Sequence, residues 1–319
     1  MKWRTRITDL LNIKYPIVQG GLAHLAYSEL ASAVSESGGL GQITAMSMNN
    51  EEQLRQEIHK LRTLTSKPFG VNFAIGQHGR PYESMVQTAI EENVPAVTIT
   101  GGNPKPLLEM VKGTGIKALV LVAAKRQAVK AEELGADAVM VVGQEGGGHI
   151  GRDDVSTFVL TPQVVEAVSI PVISSGGIGD GNGLMAALAL GAEGIEMGTR
   201  FIATQECVHA HQAYKKALIE ADENSTIVIK RSLGAPARAL RNSWTEQIVE
   251  YEKNQPGYEF LRPYINGDTN KKYIYDGEEM KGFGWAGQIT GRIKDIPSVE
   301  ELFHRIITEA ETIRAKWSN

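Results

Sequence analysis

Residues 172–200 read VISSGGIGDGNGLMAALALGAEGIEMGTR. They contain one complete strand–helix–strand unit: Val172–Ser175 as a strand, Gly181–Leu190 as a helix, Gly194–Met197 as a second strand. Gly191–Glu193 separates helix from strand. A glycine there ends a helix in the left-handed conformation without a Cβ clash, so a new strand can start at once. The same punctuation, Gly135–Asp137, follows the helical segment Lys125–Leu134.

Reading outward, the unit recurs. Candidate strands are Tyr15–Gln19, Leu40–Thr44, Gly70–Ile75, Ala96–Thr100, Ala118–Val122 and Ala138–Val142, with the two already named. They run in Val, Ile and Ala instead of alternating with polar residues, which marks strands buried on both faces. Between them lie amphipathic segments at Ser28–Ser37, Glu51–Leu64, Tyr82–Asn93, Lys105–Lys112, Lys125–Leu134 and Thr161–Val168. Eight β/α repeats predict an α/β fold of the TIM (β/α)8 type, whose functional residues gather on the loops after the strands. The pattern breaks after residue 200. From Gln205 to Gly291 there are helical stretches, Cys207–Glu220 and Ser243–Glu252, and Gly/Pro/Tyr-rich joins. The expectation is a barrel over residues 1–204 and a mainly helical cap, 205–291, inserted after the last strand. Residues 292–319 would complete the barrel, with a final helix Ser298–Lys316 opened by a Ser298/Glu301 capping box.

The bulk numbers are those of an ordinary globular chain: 319 residues, 42% hydrophobic and 22% charged. A net charge of -4 without a Lys/Arg run argues against a nucleic-acid partner. Cys207 is the only cysteine, so no intramolecular disulfide or cysteine metal cluster is available. No apolar stretch follows Met1–Thr8 and no run reaches membrane-spanning length, so a cytoplasmic protein is expected.

The chemistry sits in the strand-end loops. Residues 143–154 read GQEGGGHIGRDD. Gly146, Gly147 and Gly148 let the backbone approach a flat or anionic ligand, and His149 beside them can trade a proton near neutral pH. Ser175-Gly176-Gly177 and Met197-Gly198-Thr199 follow strands seven and eight, where barrels place backbone N–H groups around a phosphate. Gln19-Gly20-Gly21 follows the first strand, and either a tight turn or a close ligand contact accounts for it. Asn72 is an amide in an apolar run and needs partners. Lys125 is either a solvated first-turn charge or a cation facing a cofactor. Arg200 either adds charge to the second loop or pairs with a barrel carboxylate. His24 follows the first glycine pair. Met46 and Met48 read as core filling and Cys207 as a packed thiol. His209 and His211 are two apart, on different helix faces, so no metal is expected. The four tryptophans, Trp3, Trp244, Trp285 and Trp317, are too scattered for a stacking platform.

Six motifs in register make a resemblance. Tyr15–Gly21, Gly38–Gly41, Pro68–Asn72, Gly147–Gly151, Ser175–Ile178 and Met197–Phe201, with Ala286-Gly287-Gln288 near the end, resemble the nitronate monooxygenase family, formerly called 2-nitropropane dioxygenases. The resemblance implies FMN in a TIM barrel. It implies Gln19, Gly20 and Gly21 against the isoalloxazine, Asn72 and Lys125 near the ring, and Gly147 and Gly148 in the glycine bed. Gly176, Gly177, Gly198 and Thr199, flanked by Ser175 and Met197, would hold the phosphate, and His149 would be the acid/base. Its implied reaction is oxidation of an alkyl nitronate or nitroalkane by O2 to a carbonyl compound and nitrite. Two relatives share the pattern and stay open: NAD(P)H-dependent reductases of enoyl-ACP and of quinones. Lys125 and the acidic pair Asp153-Asp154 lean from the enoyl reductase, as does the tail Asp295–Glu301; Ile150 and much of the first half do not. A homodimer and a non-catalytic flavin-binding barrel stay open as well. The glycine loops also occur in IMP dehydrogenase, but that enzyme needs a cysteine after strand six, where this chain has Gly146–His149.

Overall fold

The computed structural model describes residues 3–76, 81–254 and 257–317. All eight expected barrel strands are present: β1 (Ile17–Gln19), β2 (Gly41–Thr44), β3 (Phe69–Ala74), β4 (Ala96–Thr100), β5 (Lys117–Val122), β6 (Ala138–Val142), β8 (Val172–Ser175) and β9 (Gly194–Met197). They pair in parallel in the order β1-β9-β8-β6-β5-β4-β3-β2. The ring closes between β1 and β2 through the Val18–Leu40 bridge, where Leu40 N–H donates to Ile17 O (2.9 Å) and Gln19 N–H to Leu40 O (3.0 Å). The fold is a TIM barrel, as the repeat predicted.

Three further strands were not expected. β7 (Gly148–His149) pairs antiparallel with β11 (Ala237–Leu240), and β11 with β10 (Thr226–Ile229). The region after the barrel is therefore mainly helical but built on a small antiparallel sheet. Four-residue strands against a two-residue one leave too short a periodicity to read from sequence.

Two helices, one of the barrel and one after it, start elsewhere than expected, for tertiary reasons. The seventh runs Thr157–Val165, four residues ahead of the expected start. Its first turn is satisfied from outside, because the Glu145 carboxylate accepts from Thr157 N–H (2.8 Å) and from the Thr157 hydroxyl (2.9 Å). The helix expected from Cys207 begins at Gln212, after an N-cap from His211 Nδ1. The final helix, Val299–Trp317, has Ser298 as its cap, but Glu301 turns to Arg305, so the box is only half formed. This helix packs on Gly181–Ala189, where Glu309 accepts from Gly181 N–H (2.7 Å).

An N-terminal helix, Arg6–Leu11, plugs the lower mouth of the barrel. Ile7 and Leu11 meet Val18, Leu40, Leu119, Met140 and Ile173 there, all buried. Each such side chain contributes about 2 kcal/mol of apolar burial. No described helix is long and apolar enough to cross a membrane.

The β1–β2 seam depends on close packing at Gly41. A Cβ there would stand 1.8 Å from Ala31 O in the helix Ser28–Glu36. Gly41→Ala must push backbone from backbone, and we expect a loss of about 3 kcal/mol or more in urea unfolding. A midpoint unchanged from the parent protein would show that the seam has slack.

Candidate active site

The upper end of the barrel opens into a cavity of about 750 Å³. Its floor comes from the strand ends: Gly20 and Gly21 after β1, Thr44 on β2, Asn72 and Ala74 on β3, Thr100 on β4. One wall is Ser175, Gly176 and Gly177 after β8 with Met197, Gly198 and Thr199 after β9. Gly146, Gly147, Gly148 and His149 form the facing lip. Of the residues expected at a site, only Gln19 and Lys125 are absent from this wall.

Lys125 is the exposed first residue of the helix Lys125–Glu133 and does not line the cavity. Gln19 lies one layer below the floor. Its amide donates to Gln42 O (2.8 Å), and the Gln42 amide returns to Gln19 O (2.5 Å). That pair continues as a buried polar chain. Thr98 Oγ1 donates to Gln42 Oε1 (2.5 Å), and the Asn72 amide donates to Thr98 Oγ1 (2.9 Å) and Thr100 Oγ1 (3.0 Å). Asn72 thus finds the partners its burial requires and is held rigid at the floor. Its side chain fills the space a Cβ on Gly21 would need, 2.4 Å away.

The glycine loops interlock with the tail of the chain. A Cβ on Gly147 would lie 2.5 Å from Gly287 N. Gly287 N–H donates to Thr199 Oγ1 (2.9 Å), and Gln288 N–H to Glu145 O (2.9 Å). Ala286-Gly287-Gln288 therefore ties the His149 loop to the β9 loop. Gly176 and Gly177 have φ of 92° and 74°, backbone open to glycine and strained for other residues.

His149 is held by the small sheet: Gly148 pairs with Arg238 and His149 with Ala237, while Ile150 N–H donates to Pro236 O (3.0 Å). Its Nε2 is 2.7 Å from Lys230 Nζ, and its ring is 5.7 Å from that of Trp285. Burial pushes the Lys230 ammonium down to about 8. Lys230, Phe283, Trp285, Tyr258 and Arg262 complete the outer wall. Sequence reading missed all of these, and it set Trp285 aside as scattered; Phe283 at 4.7 Å makes it part of an aromatic wall.

Other candidates resolve simply. His24 does line the cavity, with its backbone in the left-handed region (φ 63°) and held by Ser47 and Tyr275. Arg200 is buried and bonded to Asp295 and Ala203, away from this wall. Cys207 is buried, its thiol pushed up to about 12 by burial, and Met46 and Met48 stay off the wall. His209 faces Glu29 and Tyr27, and His211 caps its helix.

Glu196 is a further residue that the strand pattern hid. It lies on β9, lines the cavity and is 7% exposed. Burial raises its carboxyl above the ordinary 4.5, opposed in part by a hydrogen bond with Ser175. The folded protein then binds a proton that the unfolded chain releases above 4.5, so stability falls as pH rises from there through the raised value. Glu196→Gln removes this dependence. Urea midpoints of the two proteins should differ least near pH 4, with the variant gaining on the parent toward pH 7. A pH-independent offset would show Glu196 ionised in the fold.

Comparison with known proteins agrees with this architecture. The sequence profile of the nitronate monooxygenase family matches residues 4–309. A probable nitronate monooxygenase of Staphylococcus haemolyticus is 33% identical, over 98% of this chain and 99% of its own. Among solved structures, FabK from Thermotoga maritima is 40% identical with a TM-score of 0.91, over 99% of this chain and 98% of its own. A nitroalkane oxidase from Streptomyces ansochromogenes is 28% identical with a TM-score of 0.84, over 98% of this chain and all of its own. With a TIM barrel, a glycine-walled cavity and a profile match over almost its whole length, the chain belongs to the nitronate monooxygenase family of oxidoreductases.

Proposed function

We propose that this protein binds FMN and oxidises small alkyl nitronates with O2 to a carbonyl compound and nitrite. One observation carries the reading: a single cavity joins the two glycine turns after β8 and β9 to His149 on the opposite lip. The cavity fits such a cofactor. Thr44 Oγ1, on the floor, is buried with no hydrogen-bond partner among the described residues, and a polar atom of a ligand in the cavity would satisfy it. Ser175, Gly176, Gly177, Gly198 and Thr199 would hold the phosphate through backbone N–H groups. Gly20, Gly21, Thr44 and Asn72 would lie against the ring, with Gly147 and Gly148 at its open side.

When bound, FMN supplies the electron transfer between substrate and O2. The protein supplies the rest. His149 holds a proton at the nitronate oxygen, or takes the α-carbon proton of a neutral nitroalkane. Lys230 and Arg262 give the outer wall positive charge, which suits a small anion. Phe283 and Trp285 exclude water from the same wall.

A second reading is favoured by one finding: identity to FabK is 40%, against 28% to the nitroalkane oxidase. Lys125 had leaned against an enoyl reductase, and its place outside the cavity removes that argument. On this reading NAD(P)H is the donor and an enoyl thioester or quinone the acceptor.

Anaerobic stopped-flow reduction separates the two. Fast bleaching by propionate 3-nitronate with slow bleaching by NADH and NADPH is expected; the reverse order would install the reductase reading. His149→Ala should keep the flavin and lose roughly 100- to 10,000-fold in kcat. An unchanged kcat would remove His149 from proton transfer. Gly177→Val should purify colourless, because it places a branched side chain at φ 74° and beside Glu145. Full flavin occupancy would refute the phosphate-loop assignment.

A further inference from the structure

Among the described non-glycine residues, four have positive φ: Asn12, His24, Asn93 and Lys230. Asparagine tolerates that conformation through its short polar side chain; lysine has no such compensation, so the structure must hold it there. At Lys230 (φ 65°) the holder is Glu252. Its carboxylate accepts from Lys230 N–H, Ser232 N–H and the Ser232 hydroxyl, each at 2.8 Å. Lys230 directly follows β10, and His149 lies on β7; both strands flank β11 in one sheet. The 2.7 Å approach of Lys230 Nζ to His149 Nε2 is therefore set by sheet register and a clamped turn, and not by two loose side chains. Trp285 flanks the pair, 6.0 Å from Nζ and 5.7 Å from the imidazole centroid.

We propose that Lys230 is a positioning residue that holds His149 as the neutral Nδ1–H tautomer by donating to its Nε2. This rests on the reading of His149 as the proton-transfer group. An ammonium has donors only, and a neutral imidazole has one acceptor nitrogen, so the contact commits the Nε2 lone pair and leaves the proton on Nδ1. Even lowered to about 8, Lys230 remains the proton carrier of the pair at pH 7. A second proton on His149 would set two cations side by side, which drives the imidazole titration down. Of the described charges nearby, the Glu252 carboxylate at the turn favours the proton on Lys230 and Glu145 is bonded to Thr157, while Arg238 on β11, Arg262 on the helix Tyr258–Ile265 and Arg152 at Gly234 add positive charge. The proton of the neutral imidazole then sits on Nδ1. A base role needs Lys230 to withdraw or to lose its own proton.

Imidazole 15N NMR of the flavin-loaded protein tests this without turnover or substrate, with His149→Ala supplying the assignment. The parent protein should show the Nδ1–H tautomer and a titration below the usual value of about 6.5. Lys230→Met should raise that titration by about one pH unit or more and abolish the tautomer bias. Lys230→Gln, a donor without charge, should keep the tautomer while the titration rises. Lys230→Arg should keep both parental signatures. An Nε2–H tautomer in the parent, or an unmoved titration in Lys230→Met, overturns the proposal. If Lys230→Met does not fold, the parental tautomer and the Gln and Arg variants decide it alone. A protein that ignores nitronates fails the proposed function and leaves these spectra unaffected, so the two failures are distinguishable.

Discussion

Closure of the β1–β2 seam is the constraint on which the rest depends. Eight parallel strands make a ring of converging loops only if the first and second strands meet, and here they meet over one bridge, Val18–Leu40. Glycine makes the meeting possible. A Cβ on Gly39 would stand 2.6 Å from Ile17 O, and one on Gly41 1.8 Å from Ala31 O. Backbone atoms cannot yield as side-chain tips do, so neither position accepts a larger residue without moving a strand. Once the ring is closed, loops from strands far apart in sequence share one cavity.

The interior below that cavity is layered by polarity. Ile7, Leu11, Val18, Leu40 and Met140 fill the lower barrel with apolar contacts. Above them Gln19, Gln42, Thr98 and Asn72 form a hydrogen-bonded chain. In a low-dielectric interior such a chain is costly if incomplete and stiff if complete. Its end, Asn72, fixes the floor beside Gly21. Thr44 and Glu196 depart from the pattern: one is a hydroxyl without a partner among the described residues, the other an acid whose carboxyl is pushed upward by burial. Both face the cavity, where a bound ligand would supply what the protein does not.

The site is completed by chain that comes after the barrel. β10 and β11 add themselves to the two-residue strand carrying His149, and Ala286-Gly287-Gln288 threads between Gly147 and Thr199. The histidine is thereby placed by ladder hydrogen bonds, which hold position better than a free loop. The region that supplies Lys230, Phe283 and Trp285 thus both positions His149 and walls the cavity.

The barrel itself was legible in the sequence because its signals are local. Apolar strand runs, glycine helix stops and glycine pairs at strand ends depend only on neighbours along the chain, and Gly20, Gly21, Gly147, Gly148, Gly176, Gly177 and His149 could be named from them. What depends on distant partners could not. Lys125 and Lys230 are both lysines near an element boundary; one is exposed and the other half-buried against His149, and only the packing of β10 onto β11 separates them. The early start of the helix at Thr157 needs a carboxylate from another loop, and the role of Glu196 needs the whole barrel to exclude water from it. Sequence by itself determined the repeat, the glycine bed and the family. The tertiary structure decided which charges lose water and what touches His149, because burial and hydrogen-bond partnership are properties of the closed fold and not of any segment within it.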